Sequence, residues 1–225
     1  MIFAIIGLII TIFIYAAAKI FYRYTKIAVF TPLLVAPVLL VLLLFIFQIP
    51  YDSYDNGTKI LTILLQPATV AFAIPLYKYY PVLKKHLKEI LFSVIFGSIV
   101  SIVSAATIAL LLDFNASLIH SIMPYSITTP IAMDVSKSIG GIPTITAVFV
   151  IVTGIMGSII GPFMIKMFRF KSEIAHGVLL GTSSHGCGTS KALEMSAKTG
   201  AVSSVCMILA AIISICASPL LAFVF

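Results

Sequence analysis

Charged residues are scarce in this sequence, and their scarcity excludes an ordinary soluble domain. Asp, Glu, Lys and Arg make up only 9% of the 225 residues, whereas 61% are hydrophobic and the mean hydropathy is +1.20. A soluble domain carries about a quarter charged residues. The apolar runs are about 20 residues long, which matches a bilayer core of about 30 Å. The sequence therefore predicts an all-α, polytopic membrane protein.

The sequence also lacks the usual patterns of metal, nucleotide and nucleic-acid sites. Its cysteines, Cys187, Cys206 and Cys216, form no CxxC pair and have no metal-ligand spacing, so reduced, packed thiols are expected. There is no P-loop or dinucleotide fingerprint. The 14 Lys and Arg residues lie in short clusters between apolar runs, not in a basic tract with interleaved aromatic residues. We therefore expect no metal, no cofactor and no nucleic-acid partner.

A single transmembrane domain of residues 1–225 is predicted, with eight apolar segments. The first run, 2–20, is interpreted as a helix and not as a signal peptide, because no basic region precedes it. The basic linker 19–26 predicts a cytoplasmic turn, and the acidic linker 51–57 predicts a turn outside. The predicted segments are 2–20, 28–49, 59–80, 90–112, 117–141, 142–167, 174–198 and 200–224.

The basic clusters constrain the topology. If all eight segments crossed, the cluster 166–171 would lie outside, against the positive-inside tendency. If 117–141 is re-entrant or half-inserted, this cluster returns to the cytoplasm and the N-terminus lies outside. Segments 28–49, 59–80 and 90–112 then run opposite to 142–167, 174–198 and 200–224. This arrangement predicts an inverted repeat of three plus three helices, with broken mid-membrane helices at 59–80 and 174–198.

The stretch 181–191, GTSSHGCGTSK, carries the strongest chemical signal. It holds three glycines, five hydroxyl side chains, a histidine and a lysine at the expected depth of the membrane centre. Such a sequence is tolerated there where it is buried in protein or lines a wet cavity. Close helix packing is the structural alternative. We interpret the stretch as the unwound centre of a substrate-binding helix.

Candidate substrate-binding residues follow from this interpretation. Free backbone N–H groups at a broken helix attract anions, and hydroxyls add directional hydrogen bonds. Polar residues in segments 59–80 and 117–141 extend the set. The candidates are Thr182, Ser183, Ser184, His185, Gly186, Gly188, Thr189, Ser190, Gln66, Thr69, Thr128 and Thr129.

Three titratable residues are candidates for proton or ion coupling. His185 has a reference pKa of about 6.5, which suits proton exchange. Asp134 and Glu194 are the carboxylates closest to polar mid-segments, although both also fit ordinary interfacial charges that pair with Lys137 or Lys191. A serine protease is disfavoured, because Ser184 and His185 are sequence neighbours and do not face each other on a helix. We therefore expect no enzyme and no catalytic residue.

Three separated motifs give the chain a family resemblance. They are QPATVA at 66–71 with PLY at 75–77, TTPIAMD at 128–134, and GTSSHGCGT at 181–189 followed by ALE at 192–194. Together they resemble the LrgB/CidB family over nearly the whole chain. Typical members have a small apolar residue near Ser183 and Cys187, so both positions depart from the pattern.

The resemblance implies two functional expectations. Bacterial members were described as holin/antiholin-like proteins that modulate murein hydrolase activity and programmed lysis. A plastid relative with fused LrgA-like and LrgB-like parts is a glycolate/glycerate translocator, and some bacterial pairs are linked to pyruvate uptake. The resemblance also implies a bacterial cytoplasmic membrane and a small LrgA/CidA-type partner, and a homodimer is a further expectation.

Paired broken helices and central glycines favour transport over a bulk lesion. We therefore predict a secondary transporter of a small monocarboxylate of the pyruvate, glycolate, glycerate or lactate class. The alternative is a holin/antiholin-like regulator of murein hydrolases.

Overall fold

The computed structural model describes residues 2–25, 30–71 and 73–225, and no strand occurs in these ranges. The predicted all-helical class is therefore confirmed. The helices are α1 (Ile2–Thr25), α2 (Pro32–Ile46), α3 (Tyr51–Ala71), α4 (Ala73–Lys78), α5 (Tyr80–Lys85), α6 (Leu87–Leu111), α7 (Ala116–Ile122), α8 (Thr129–Ser138), α9 (Pro143–Met167), α10 (Glu173–Met195) and α11 (Ala197–Ala222).

Among the described residues, four stretches of helix are long and apolar enough to cross a bilayer. They are Ile6–Thr25, Leu87–Leu111, Pro143–Met167 and Ala197–Ala222, and the apolar helix α2 is shorter. Large apolar side chains remain exposed along them, including Phe13, Phe92 and Phe163. Exposure of this kind suits lipid rather than water. The chain is therefore a multi-pass membrane protein.

Residue contacts divide the chain into two compact units, Met1–Ala73 and Ile74–Phe225. In the first unit, α1 packs against α2 and α3. The Tyr54 hydroxyl lies 2.8 Å from Thr11 Oγ1, and a Cβ at Gly7 would lie 3.4 Å from the Tyr54 ring. A small residue on α1 thus lets an aromatic side chain of α3 pack closely.

Two predicted linkers are wrong, because both are helical. Residues 51–57 form the first turns of α3, after Pro50 accepts backbone hydrogen bonds from Ser53 and Tyr54. The contact of Tyr54 with α1 fixes this turn-rich sequence as helix, since tertiary packing overrides weak local propensity. The basic linker 19–26 is also helical as far as Thr25, and residue 26 lies outside the described residues.

The second unit has its core between the long helices α6, α9 and α11. One buried cluster joins Val94 of α6 to Val150 of α9 and Val202 of α11. Another joins the later turns of α6, around Ala106, to α7 and to the last turns of α11. Helices α6 and α11 therefore run in the same direction, and α9 runs antiparallel to both.

Helix α10 reverses direction at its centre. As one straight rod its 23 residues would be about 33 Å long. Yet the Ser196 hydroxyl after its last turn donates to Glu173 Oε1 in its first turn at 2.6 Å. Ser184 and His185 have non-helical dihedral angles and form the turn. Residues 173–196 are therefore a helical hairpin, here the second hairpin, whose halves are each about 16 Å long, half the thickness of a bilayer core.

Helices α7 and α8 form a first hairpin, residues 116–142. Its two ends are adjacent, since Ser117 Oγ donates to the Gly140 carbonyl at 3.2 Å and the Ile142 N–H donates to Ser121 Oγ at 2.7 Å. Its tip is the turn at 123–128, which is largely buried. The second unit thus alternates long helices with hairpins: α6, first hairpin, α9, second hairpin, α11.

The second hairpin corrects the prediction for 174–198. The segment is broken at its centre, but the chain turns back there instead of continuing across the membrane. The physical reason is the dense packing of its glycines, which brings the two halves together at Gly188 and Leu180. In segment 59–80, α3 continues through Pro67 and α4 starts at Ala73. A second broken helix in this segment stays a prediction. The inverted repeat of three plus three helices is not confirmed, because it requires α6 and α11 to run in opposite directions, whereas they run in the same direction.

Candidate functional site

One face of α9 contacts both hairpins. Thr146, Val150 and Gly154 are spaced four residues apart and are followed by Gly157 and Gly161 on the same face. Thr146 Oγ1 donates to Ser136 Oγ of the first hairpin at 2.7 Å. Val150, Gly154 and Gly157 meet the tip of the second hairpin. The first hairpin therefore packs on α9 through α8, and the second packs on it through its tip.

The tip of the second hairpin is a strained turn. His185 has φ 39° and ψ −128°, a conformation that side-chain-bearing residues rarely adopt. Such strain costs about 1–3 kcal/mol and persists only where surrounding contacts hold it. The Ser183 and Ser184 hydroxyls lie 2.9 Å apart, and Ser183 Oγ also donates to the Leu179 carbonyl at 2.8 Å.

Glycines of α9 hold this turn by making room for it. A Cβ at Gly154 would lie 2.6 Å from His185 Cε1 and 3.0 Å from Cys187 Sγ. A Cβ at Gly157 would overlap the Ser184 side chain, whose Cβ is 2.7 Å away. Any larger residue would displace the tip from α9.

The His185 imidazole is buried, with 6% of its surface exposed. Its Nε2 lies 3.0 Å from the Val150 carbonyl oxygen. Because a carbonyl accepts, this contact fixes Nε2 as the donor and leaves Nδ1 as the acceptor in the neutral ring. The ring is therefore held in one orientation against α9.

The tip of the first hairpin lies at the same depth. The chain reverses over 139–142, so α8 runs antiparallel to α9 from the contact between Ser136 and Thr146. Thr128 lies eight residues before Ser136 on the first hairpin, and Gly154 lies eight residues after Thr146 on α9. Eight residues correspond to a rise of about 12 Å on each helix. Thr128, the N-cap of α8, is therefore level with Gly154 and the His185 ring.

Two helix N-termini thus lie at this depth. Thr128 makes no side-chain cap hydrogen bond, so the first N–H groups of α8 are not capped by it. The returning half of the second hairpin begins directly after His185. Both N-termini carry partial positive charge. Among the described residues, the buried polar side chains are those of serine, threonine and His185, with no carboxylate. The arrangement suits a small anion.

The structure brings several predicted site residues to the tips. Ser184 and His185 form the turn, and Gly186 follows it in open space, since a Cβ at this position would meet no atom within 4 Å. Gly188 packs against the Leu180 carbonyl. Thr182 lies one turn before His185, and its Oγ1 is buried without a partner in the described part of the chain.

Other predicted residues lie elsewhere or serve packing. Thr189 Oγ1 lies 3.0 Å from Ser203 Oγ and so joins the hairpin to α11. Ser183 and Ser190 are exposed, and Thr129 is half-buried beside Thr128. Asp134 is exposed on α8, and Glu194 is exposed and paired with Lys191 at 2.8 Å. The side chains of Gln66 and Thr69 lie outside the described part of the structure.

Sequence reasoning did not select Gly154 and Gly157 as site residues and so missed their role in holding the tip. It also missed the Val150 carbonyl, because a backbone group leaves no signal in the side-chain sequence. Ser126 lies in the tip of the first hairpin with 1% of its surface exposed, and its hydroxyl has no partner among the described residues. In the sequence, the one indication that Ser126 belongs to the site was its position close to Thr128.

At the end opposite its tip, the second hairpin is closed by contacts among Glu173, Ser196 and Lys198, which we call the base clasp. Lys198 Nζ lies 3.2 Å from Glu173 Oε2, next to the Ser196 hydroxyl bond. The Ser196 hydroxyl, and then Lys198, lower the pKa of Glu173 from its usual value. The base clasp, Glu173, Ser196 and Lys198, lies at the end of the bundle that also carries Lys166, Arg169 and Lys171.

Comparison with known proteins agrees with the motifs. The family model of the LrgB-like family matches residues 11–224. The chain is 54% identical to the protein YwbG of Bacillus subtilis (strain 168) over 98% of both chains, and 37% identical to YxaC of the same organism over 99% of this chain and 96% of the relative. It is 34% identical to the antiholin-like protein LrgB of Bacillus mycoides (strain KBAB4) over 95% of this chain and 94% of the relative.

No solved structure matches this chain. The match to the family model over nearly the whole length, together with relatives of the same length, confirms the resemblance of the sequence motifs. The chain belongs to the LrgB-like family.

Proposed function

We propose that this membrane protein is a secondary transporter of a small monocarboxylate, of the pyruvate, glycolate, glycerate or lactate class. The observation that carries the proposal is the strained tip of the second hairpin on the glycine-lined face of α9, at the depth where α8 begins with an N-cap that makes no side-chain hydrogen bond. Half-helix ends buried near mid-membrane are the usual way in which transporters bind small ions.

The chemistry of the tips favours an anion with one carboxylate. Helix N-termini stabilise negative charge by about 0.3–1 kcal/mol each when exposed, and by up to about 2 kcal/mol when partly buried. The serine and threonine hydroxyls near the turn supply directional donors. With no buried lysine or arginine among the described residues, the tips are matched to a small, singly charged solute.

Reversible binding fits the geometry better than catalysis. The Ser184 hydroxyl contacts Ser183, and the His185 Nε2 contacts the Val150 carbonyl, so the imidazole and the hydroxyl are not paired as nucleophile and base. We propose that the site binds and releases its solute without covalent chemistry. His185 is the proposed proton-coupling residue, and a small LrgA/CidA-type protein in the bacterial cytoplasmic membrane is the proposed partner.

Uptake by the purified protein in proteoliposomes tests the proposal. Labelled pyruvate, glycolate, glycerate and lactate are offered with and without an imposed proton gradient. We expect saturable uptake of at least one of these carboxylates by the parent protein and none by His185→Gly. Glycine is the chosen replacement because it accepts the φ of 39° at this position, so the variant keeps the turn and lacks only the imidazole. His176→Ala, at a half-buried histidine whose Nε2 lies 2.8 Å from the Phe170 carbonyl oxygen, is the matched control and should retain uptake.

A regulator of murein hydrolases is the second candidate. It is favoured by the relatives at 34% identity, which are called antiholin-like protein LrgB. A folded protein that shows no uptake, either alone or together with a small LrgA/CidA-type protein, would support this candidate against transport.

A further inference from the structure

A cleft of about 400 Å³ opens between α6 and the first half of the second hairpin. Its lining is mostly apolar with a few polar side chains, and includes the segment between α9 and α10. The residues that matter here are His86, Glu89, Ser93, Ser172, Ile174 and Val178. In the sequence, the lining residues are flanked by the basic residues Lys84, Lys85, Lys88, Arg169 and Lys171. An open cleft at this end suits the entry of a small anion from the aqueous phase.

A stripe on α6 leads from the cleft toward the hairpin tip. Glu89, Ser93, Gly97 and Ser101 recur every fourth residue, so they share one face of the helix. Glu89 and Ser93 line the cleft. Ser101 lies one turn beyond Gly97, and its buried hydroxyl has no partner among the described residues. The stripe therefore offers small or polar side chains along its length.

The stripe narrows at a contact between Gly97 and Thr182. A Cβ at Gly97 would lie 3.2 Å from Thr182 Cγ2, closer than most side-chain contacts. Thr182 is 9% exposed and lies one turn before His185 on the same half of the hairpin. The contact therefore lies between the end of the cleft and the tip. It is about one helical turn, roughly 5 Å, away from His185.

The opposite end of the second unit is filled by the first hairpin. Ile119 and Met123 are buried against Ile102, Ala106 and Ala109 of α6, and Ile127 in the tip is fully buried. The cleft at the basic end is therefore the short way to the tips in this conformation.

We propose that the cleft between α6 and the second hairpin is the route by which a small anionic solute reaches the hairpin tips from the basic side, and that the contact of Gly97 with Thr182 is its constriction. This inference rests on the proposed carrier function for its biological meaning. The route itself is a property of the protein and is testable without transport.

Thiol accessibility in oriented membrane vesicles is the direct test. Gly186→Cys, in a chain whose three native cysteines are replaced by alanine, places a thiol in the open space at the tip. Its reaction with a small, charged, membrane-impermeant methanethiosulfonate is followed from each side of the membrane. We expect reaction from the basic side and a rate about tenfold lower with Gly97→Val added, a change of about 1.4 kcal/mol in the barrier.

Two controls make the result specific. Ser104→Val adds similar bulk on an exposed face of α6 and should leave the rate unchanged. Ser93→Cys, in the cleft before the constriction, should react equally with and without Gly97→Val. The proposal is overturned if the thiol at 186 reacts only from the opposite side, reacts from neither side, or reacts from the basic side at a rate that Gly97→Val does not change.

Uptake measurements separate this inference from the proposed function. A slowed thiol reaction without carboxylate uptake by the parent chain would retain the route and reject the proposed substrates. Normal carboxylate uptake by Gly97→Val, with an unchanged thiol rate, would retain the carrier and reject the route.

Discussion

Gly157 and Gly186 lie close in space to the same turn but have opposite steric surroundings. A Cβ at Gly157 would overlap the Ser184 side chain, whereas a Cβ at Gly186 meets nothing within 4 Å. We expect Gly157→Ala to lower the free energy of unfolding by about 1–3 kcal/mol, because the tip must shift to relieve the overlap. Thermal unfolding in detergent measures this as a lower Tm.

Gly186→Ala is the matched variant for that experiment. Alanine has the better helix propensity and no steric conflict at 186, so its Tm should equal or slightly exceed that of the parent protein. Equal destabilisation by both variants would contradict the close contact between α9 and the turn.

The Glu173 carboxylate gives the base clasp a pH dependence. Its pKa is lowered in the folded protein by the Ser196 hydroxyl first and by Lys198 next. A lowered folded pKa means that the stabilisation is present above the unfolded pKa, about 4.3, and is lost as the pH falls through the folded value. The carboxylate is partly exposed, so the effect is small, about 0–1 kcal/mol.

Comparison of Tm values at pH 7 and below pH 4 measures the effect. The parent protein should lose more stability than Glu173→Gln over that interval, since glutamine has no charge to lose. Lys198→Met, which keeps the carboxylate and removes the cation, should show an intermediate loss. Parallel pH profiles for the parent and Glu173→Gln would exclude a folded-state role for the carboxylate.

At the scale of the element, the second hairpin is a reversal that sequence patterns conceal. Its glycines at 177 and 181 pack against α11, where Cβ atoms would meet Val202 and the Ser203 carbonyl. Thr189 bonds Ser203 from the returning half. Both halves therefore lie against the same helix, which a straight helix of this length could not do.

Thiol cross-linking across the base tests the reversal. Glu173→Cys combined with Ser196→Cys should be joined by a short bis-methanethiosulfonate cross-linker, because the native side chains are in contact, with Ser196 Oγ 2.6 Å from Glu173 Oε1. The measurement is the mass of the intact protein, in a chain without native cysteines, which shows whether one linker joins both thiols. The pair Glu173→Cys and Ser183→Cys lies about 15 Å apart along one half and should carry two separate linkers. Two separate linkers on the pair at 173 and 196 would mean that the helix is straight.

At the scale of the whole molecule, the order of long helices and hairpins predicts on which side of the membrane each connecting segment lies. Each hairpin enters and leaves the membrane on the same side. Helices α6 and α11 therefore cross in one direction, and α9 crosses in the other. The basic residues before α6 and after α9 then lie on one side, as the shared cleft lining of His86 and Ser172 also requires. The turn at Asn115 lies on the other side.

Single cysteines report this sidedness. Lys85→Cys and Lys171→Cys should react with an impermeant maleimide from the same face of sealed vesicles, and Asn115→Cys should react from the opposite face. The positive-inside tendency places the first two at the cytoplasmic face. Reaction of positions 85 and 171 from opposite faces would mean that one of the hairpins crosses the membrane.

Much of the architecture was predictable because a bilayer imposes strong composition rules. Low charge and apolar runs of about 20 residues predict a multi-pass helical protein, and three motifs predict the LrgB-like family. The glycine and hydroxyl density at 181–191 also located the interruption of a helix, since such residues are costly in lipid. Weak turn signals at 51–57 failed, because packing of Tyr54 against α1 stabilised helix there.

The sequence by itself determined the class of protein, the family and an interruption within the stretch 181–191. Only the tertiary structure decided that the interruption lies at Ser184 and His185, that it reverses the chain, that the first hairpin comes level with it, and that α9 contacts both hairpins. The reason is physical: composition reports what each residue tolerates locally. The direction of a chain after a break depends on which distant surfaces, here Gly154, Gly157 and the Val150 carbonyl, it packs against.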